Sequence, residues 1–138
     1  MTGSARLRQV VLDTTDVRRL AEFYRGVLGW DYRPGDEPPA DLDWLVLRNP
    51  DGGVSLAFQQ TDALPETTWP DADVPQQLHL DLSVASPAEL TAEHDRVVGL
   101  GARVRLDRFD DPDEPLYVFA DPAGHLFCIF STAEDQDA

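Results

Sequence analysis

Leu78-His79-Leu80-Asp81-Leu82-Ser83-Val84 followed by Ser86-Pro87-Ala88-Glu89 decides the fold. Apolar and polar residues alternate without a break through the first stretch, the period of a half-buried strand. Leu78, Leu80, Leu82 and Val84 face one way; His79, Asp81 and Ser83 face the other. The second stretch opens a helix: Ser86 stands at the N-cap, Pro87 at the first helical position and Glu89 in the first turn. Leu90, Val97 and Val98 supply an apolar stripe, Gly99 and Gly101 offer stops, and Arg103-Val104-Arg105 resumes an extended pattern.

Working outward, the same plan recurs at the start of the chain. Val10-Val11-Leu12 reads as a strand, Asp16 caps a helix carrying Leu20, Phe23, Tyr24, Val27 and Leu28, and Gly29 ends it. Each half then passes through an Asp- and Pro-rich stretch into two apolar strands joined by a tight turn. Trp44-Leu45-Val46-Leu47 leads through Asn49-Pro50-Asp51-Gly52-Gly53 into Val54-Ser55-Leu56-Ala57-Phe58. Leu116-Tyr117-Val118-Phe119 leads through Asp121-Pro122-Ala123-Gly124 into Leu126-Phe127-Cys128-Ile129-Phe130. The spacing is regular: Gln9 and His79 lie 70 residues apart, Asn49 and Asp121 lie 72 apart. The expected architecture is α+β, one domain over residues 1–138 made of two βαβββ modules. Repeat one spans residues 6–60, a proline-bearing linker residues 61–76, and repeat two residues 77–131.

Composition narrows the partners. The chain has 138 residues and a formal net charge of -15, and all 11 basic residues are arginine. Such a surface repels phosphate backbones and anionic lipid, so neither nucleic acid nor membrane is an expected partner. A cationic or neutral small molecule is easier to accommodate, although an acidic surface commonly serves solubility alone. Apolar runs are too short to cross a bilayer or to form a signal peptide, and a cytoplasmic location is the expectation. The single cysteine, Cys128, excludes an internal disulfide and a cysteine-rich metal cluster. No P-loop, nucleophile elbow or glycosidase-like acid pair stands out.

Taken together and in order, several motifs resemble those of the vicinal oxygen chelate superfamily, which includes glyoxalase I, bleomycin resistance proteins and extradiol dioxygenases. They are Leu12 through Asp16, Glu22-Phe23-Tyr24, Leu28-Gly29-Trp30, Asn49-Pro50-Asp51-Gly52, His79-Leu80-Asp81-Leu82 and Asp121-Pro122-Ala123-Gly124. Leu56-Ala57-Phe58-Gln59, Thr68-Trp69-Pro70-Asp71 and Phe119 through His125 are similar to the small glyoxalase-like proteins of high-GC actinobacteria. The resemblance implies a curved mixed sheet around a cavity, and it implies a homodimer. In metal-binding members, divalent ions are held by His or Gln from the first strand of each repeat and Glu from the last.

Carried over one residue at a time, the first-strand donors fall on Gln9 and His79. Counted from the turns, the expected carboxylates fall on Leu56 and Cys128, and neither is an acid. No cofactor is therefore expected. Were a divalent metal (Zn, Ni, Mn or Fe) held, Gln9, His79 and Cys128 would be its donors, with Gln59 available if the strand register slips by a bulge. Inward parity assigns Leu56, Phe58, His79, Asp81 and Cys128 to a largely apolar pocket for an organic ligand, the resemblance adds Gln9, and Trp44 and Trp69 either add flat stacking surface to it or fill the core and cover an edge. His79 is the best candidate for catalysis, with Asp81 able to orient its imidazole. His125 is expected at the rim of its strand and His94 at the periphery.

Two readings stay open: a metal-independent small-molecule-binding protein that sequesters a toxic metabolite or antibiotic, or a divalent-metal lyase, isomerase or dioxygenase acting on a small oxygenated substrate. A regulatory or interaction module is a third class, since fold alone does not fix function.

Overall fold

The computed structural model describes residues 2–132. Two compact units divide the chain between Leu64 and Pro65, and each contains one βαβββ module with its own four-stranded mixed sheet. Among the described residues, no helix is long and apolar enough to cross a membrane.

The first module runs β1 (Gln9–Thr14), α1 (Val17–Leu28), β2 (Asp31–Tyr32), β3 (Trp44–Arg48) and β4 (Ser55–Gln60), in sheet order β1-β4-β3-β2. β1 lies parallel to β4, and the other pairs are antiparallel. Asp16 caps α1 by accepting a hydrogen bond from the Arg19 backbone N–H, a contact of a type that contributes about 1 kcal/mol. Gln60 adds a second anchor, accepting from the Val17 N–H at 3.0 Å and donating to the Thr15 carbonyl at 2.6 Å. Gly29 closes the helix in the left-handed region at φ 71°, where a side chain would be strained. The apolar stripe of α1 buries Leu20, Tyr24 and Val27, with Tyr24 stacked on Phe58 of β4 at 5.9 Å between ring centres. Leu45, Leu47, Leu56 and Phe58 make the sheet's half of this core.

The second module repeats the order with β5 (His79–Val84), α2 (Pro87–Leu100), β6 (Arg103–Arg108), β7 (Leu116–Ala120) and β8 (Leu126–Ser131), arranged β5-β8-β7-β6. Ser86 caps α2 as its sequence position requires, accepting from the Glu89 N–H, while the Glu89 carboxylate accepts from the Ala85 N–H. The helix runs through Gly99 and stops at Gly101. Leu90 and Val97 are fully buried, and His94 lies over Tyr117 at 4.7 Å.

Two register features set which side chains leave the helix-packed core. In β6 the pairing with β7 shifts between Val104 and Leu106, leaving Arg105 as a bulged residue. Simple alternation would put Val104 and Leu106 on one face; the bulge moves Leu106 and Arg108 to the face opposite α2, beside Val118 and Leu116. The second feature is the turn before β4, one residue longer than the turn before β8. Ser55 pairs with Gln9, as Leu126 pairs with His79, so Ala57 and not Leu56 is the counterpart of Cys128.

The stretch read as a linker is folded onto the second module from Pro65 onward. Glu66 pairs with Arg103 and with Arg105, and Arg105 also donates to the carbonyls of Thr67 and Trp69 at 3.0 and 2.9 Å. The bulged arginine thereby fixes the backbone that carries Trp69.

Candidate functional site

The face of the second sheet opposite α2 carries His79 and Asp81 on β5, Leu126, Cys128 and Phe130 on β8, and Leu116 and Val118 on β7. Val118, Ala120, Leu126 and Cys128 form a buried apolar cluster with Trp69, Leu106, Leu116 and Phe130 packed around it. A cavity of about 200 Å³ opens above this cluster. Trp69, Leu106, Leu116, Val118 and Cys128 form its apolar wall, and His79, Gln76 and Arg108 are its polar members. A few polar groups set in a mainly apolar wall are what orient an organic ligand. Gln76 contributes a buried Oε1 with no hydrogen-bond partner. An unpaired buried carbonyl oxygen costs about 1–3 kcal/mol.

Asp81 is the hub of the polar part. Its Oδ1 lies 3.2 Å from His79 Nε2, and its carboxylate also accepts a hydrogen bond from the Cys128 thiol. The thiol is pushed up to about 12, first by burial, then by the negative charge of Asp81 and by the hydrogen bond to it. A thiol held neutral in this way is a poor nucleophile, because the thiolate is the reactive form. Beside an anion, Cys128 acts as a small apolar wall residue that also donates one hydrogen bond.

The donor atoms of His79, Asp81 and Cys128 all lie within 4.8 Å of one another, close enough for one ion. Their chemistry fits poorly with the centre that the resemblance implies. The two last-strand positions hold Ala57, which has no donor, and Cys128, whose proton is stabilised by the very carboxylate that would share the ion.

Of the residues expected in the pocket, Trp69, His79 and Cys128 line this cavity, with Asp81 directly behind His79. Gln9 and Trp44 lie in the first module, on the sheet face opposite α1, where Gln9 pairs with Ser55 and Trp44 with Gln59. Leu56 and Phe58 were expected to face a pocket; they point the other way, into the core under α1, where Phe58 stacks on Tyr24. The cause is the extra glycine of the turn at residues 49–53: one added residue reverses every side chain of the strand that follows. Gln59 consequently shares the open face with Gln9 and Ala57 without any bulge in β4. Sequence reasoning missed Gln76, Leu106, Arg108, Leu116 and Val118. Arg108 reaches the cavity only through the bulge at Arg105, which the alternation Val104-Arg105-Leu106 conceals. His125 sits in the turn before β8, its N–H donating to the buried Asp121 carboxylate at 3.0 Å.

A shallower depression in the first module, beside the end of α1, is lined by Glu22, Arg25, Trp30 and Asp31. Glu22 and Arg25 already face each other at 3.8 Å, and Glu22 accepts the Tyr32 hydroxyl at 2.9 Å. Glu22 and Arg25 are thus engaged within the module.

Residues 9–130 match the glyoxalase-like domain family. No curated protein matches the chain. Among solved structures, a glyoxalase/bleomycin resistance protein/dioxygenase family enzyme from Burkholderia phytofirmans PsJN superposes with a TM-score of 0.71 at 16% identity, covering 92% of this chain and 98% of that one. A mutant of the fosfomycin resistance protein FosX from Listeria monocytogenes, complexed with Mn(II) and 1S,2S-dihydroxypropylphosphonic acid, gives 0.70 at 19% identity, covering 98% of each chain. A glyoxalase/bleomycin resistance protein/dioxygenase from Nocardioides gives 0.67 at 19% identity, covering 97% of this chain and 87% of that one. At these identities the likeness is one of fold, and with the match over residues 9–130 it leads to one statement: this chain belongs to the glyoxalase-like domain family.

Proposed function

We propose that this protein binds a compact organic molecule in the cavity of its second module without the metal centre of its catalytic relatives, and that it acts by sequestering that molecule. The observation that carries this reading is the cavity itself: an apolar wall with Trp69 on it, three polar side chains, and no activated nucleophile. A fold relative named for fosfomycin resistance supports an antibiotic or similarly toxic small molecule as the ligand class. In the same reading the chain is a cytoplasmic homodimer of the actinobacterial glyoxalase-like type. Filling the cavity by Val118→Phe should abolish ligand binding, measured by native mass spectrometry against a metabolite and antibiotic library, and should leave the folded spectrum intact. The ligand should be recovered unchanged.

A divalent-metal enzyme is the second reading, favoured by the proximity of the His79, Asp81 and Cys128 donor atoms. Elemental analysis of protein purified without chelators separates the two. Stoichiometric Zn, Ni, Mn or Fe that disappears in His79→Ala would overturn the sequestration reading.

A further inference from the structure

Arg108 is the arginine of the second module whose guanidinium is left for a ligand. Arg96 is held by both oxygens of Glu93, and Arg103 and Arg105 are held by Glu66. For the Arg108 side chain, the described residues offer no hydrogen bond or ion pair, although the nearby Asp111 carboxylate feels its charge. That carboxylate is engaged by the backbone N–H groups of Asp113 and Glu114. Arg108 is on the cavity side because of the bulge at Arg105, a device that re-aims side chains at the edge of a sheet. A guanidinium presents a planar fork of donors that matches a carboxylate two bonds at a time.

The other polar features of the cavity ask for complementary groups. The partnerless Oε1 of Gln76 needs an N–H or O–H donor. Trp69 offers a flat apolar surface. Asp81 already accepts a hydrogen bond from the Cys128 thiol and lies 3.2 Å from His79 Nε2, so its carboxylate is engaged within the protein. A volume of about 200 Å³ corresponds to roughly seven water molecules, enough for one small ring and its substituents.

From this arrangement we propose that the ligand is a compact planar organic acid, its carboxylate on the Arg108 guanidinium, its flat body against Trp69, and a hydroxyl or amine donor on Gln76. The assignment rests on the cavity being the ligand site. It runs against the net charge of -15, and contact geometry decides the matter because exposed charges more than about 8–10 Å away are largely screened at physiological salt.

4-Hydroxybenzoate, its neutral amide and 4-hydroxybenzylamine probe this directly, with fluorescence of Trp69 followed in a Trp30→Phe, Trp44→Phe background and affinities confirmed by calorimetry. The acid should bind about tenfold or more tighter than the amide or the amine. Arg108→Gln should erase that preference while circular dichroism stays unchanged, and Gln76→Leu should weaken 4-hydroxybenzoate more than benzoate. Equal binding of the three compounds, a preference that survives Arg108→Gln, or no binding of the acid at millimolar concentration overturns the assignment. A neutral or cationic library ligand blocked by Val118→Phe leaves the cavity reading standing and removes only the organic-acid class. An acid bound equally well by Val118→Phe and Arg108→Gln removes the cavity reading itself.

Discussion

Replacing Asp81 by asparagine should awaken the Cys128 thiol. In the folded protein that thiol is moved from an ordinary 9.0 up to about 12, with burial the largest cause and the charge of Asp81 and its hydrogen bond adding to it. At pH 8 an unshifted thiol would be about one-tenth thiolate, and one at about 12 would be about one ten-thousandth. Alkylation by iodoacetamide, followed by mass spectrometry, should therefore run about a thousandfold slower in the folded protein than in urea, before any steric hindrance. In Asp81→Asn the burial stays and the charge goes, so the thiol should fall below about 12 yet remain above 9.0, each unit of fall raising the rate at pH 8 about tenfold. The wild-type rate should climb steadily to about pH 11 without a plateau, whereas the variant should level off earlier. Stability follows with a defined sign. The unfolded thiol ionises from about pH 8.5 while the folded one holds its proton to about 12, so the unfolded state carries fewer protons in that window. This contribution to stability is fully present below the window and is lost as pH rises through it. A wild-type plateau near pH 9, or superimposable profiles for the two proteins, would refute the account of Asp81 as the hub.

Two further outcomes are expected. Gly124 sits at φ 92° with a hypothetical Cβ only 2.6 Å from Glu66 Cγ, whereas Gly29 at φ 71° has open space. Gly29→Ala should cost about 1–2 kcal/mol in urea denaturation from backbone strain alone. Gly124→Ala should cost more, because Glu66 must leave Arg103 and Arg105; equal costs would show that the contact with Glu66 is immaterial. Gln60→Ala removes both side-chain bonds at the start of α1. It should lower stability by about 1–2 kcal/mol and speed amide exchange at Val17 and its neighbours, a change absent if Asp16 holds the helix alone.

Much of the fold was legible because local signals agreed with each other. Alternation marked β5; Asp16 and Ser86 announced the helix starts and Gly29 and Gly101 their ends; matched turns exposed the duplication. The site was less legible because side-chain facing depends on registers that composition does not reveal. His79, Asp81 and Cys128 were readable, since β5 and β8 run in register without interruption. Leu56 and Phe58 were misplaced by one residue in a turn, and Arg108 was hidden by one residue in a bulge. Each error is a parity error, the kind a period-two element makes unavoidable when a single insertion goes unseen.

Those same two insertions explain why the repeats are unequal in chemistry. With Ser55 opposite Gln9, the open face of β4 carries Ser55, Ala57 and Gln59, a row of small and polar side chains. With Leu126 opposite His79, that of β8 carries Leu126, Cys128 and Phe130, a row that can wall an apolar cavity. The bulge at Arg105 then adds Leu106 and Arg108 to that wall and, through Arg105 itself, ties down the segment bearing Trp69. A carboxylate at position 128 would compete with Asp81 for space and charge, whereas a neutral thiol there gives Asp81 a donor and leaves the wall apolar. The absence of an acid on β8 and the presence of a cavity beside it are therefore one design seen from two sides, and it is on this pairing that the proposed ligand capture rests.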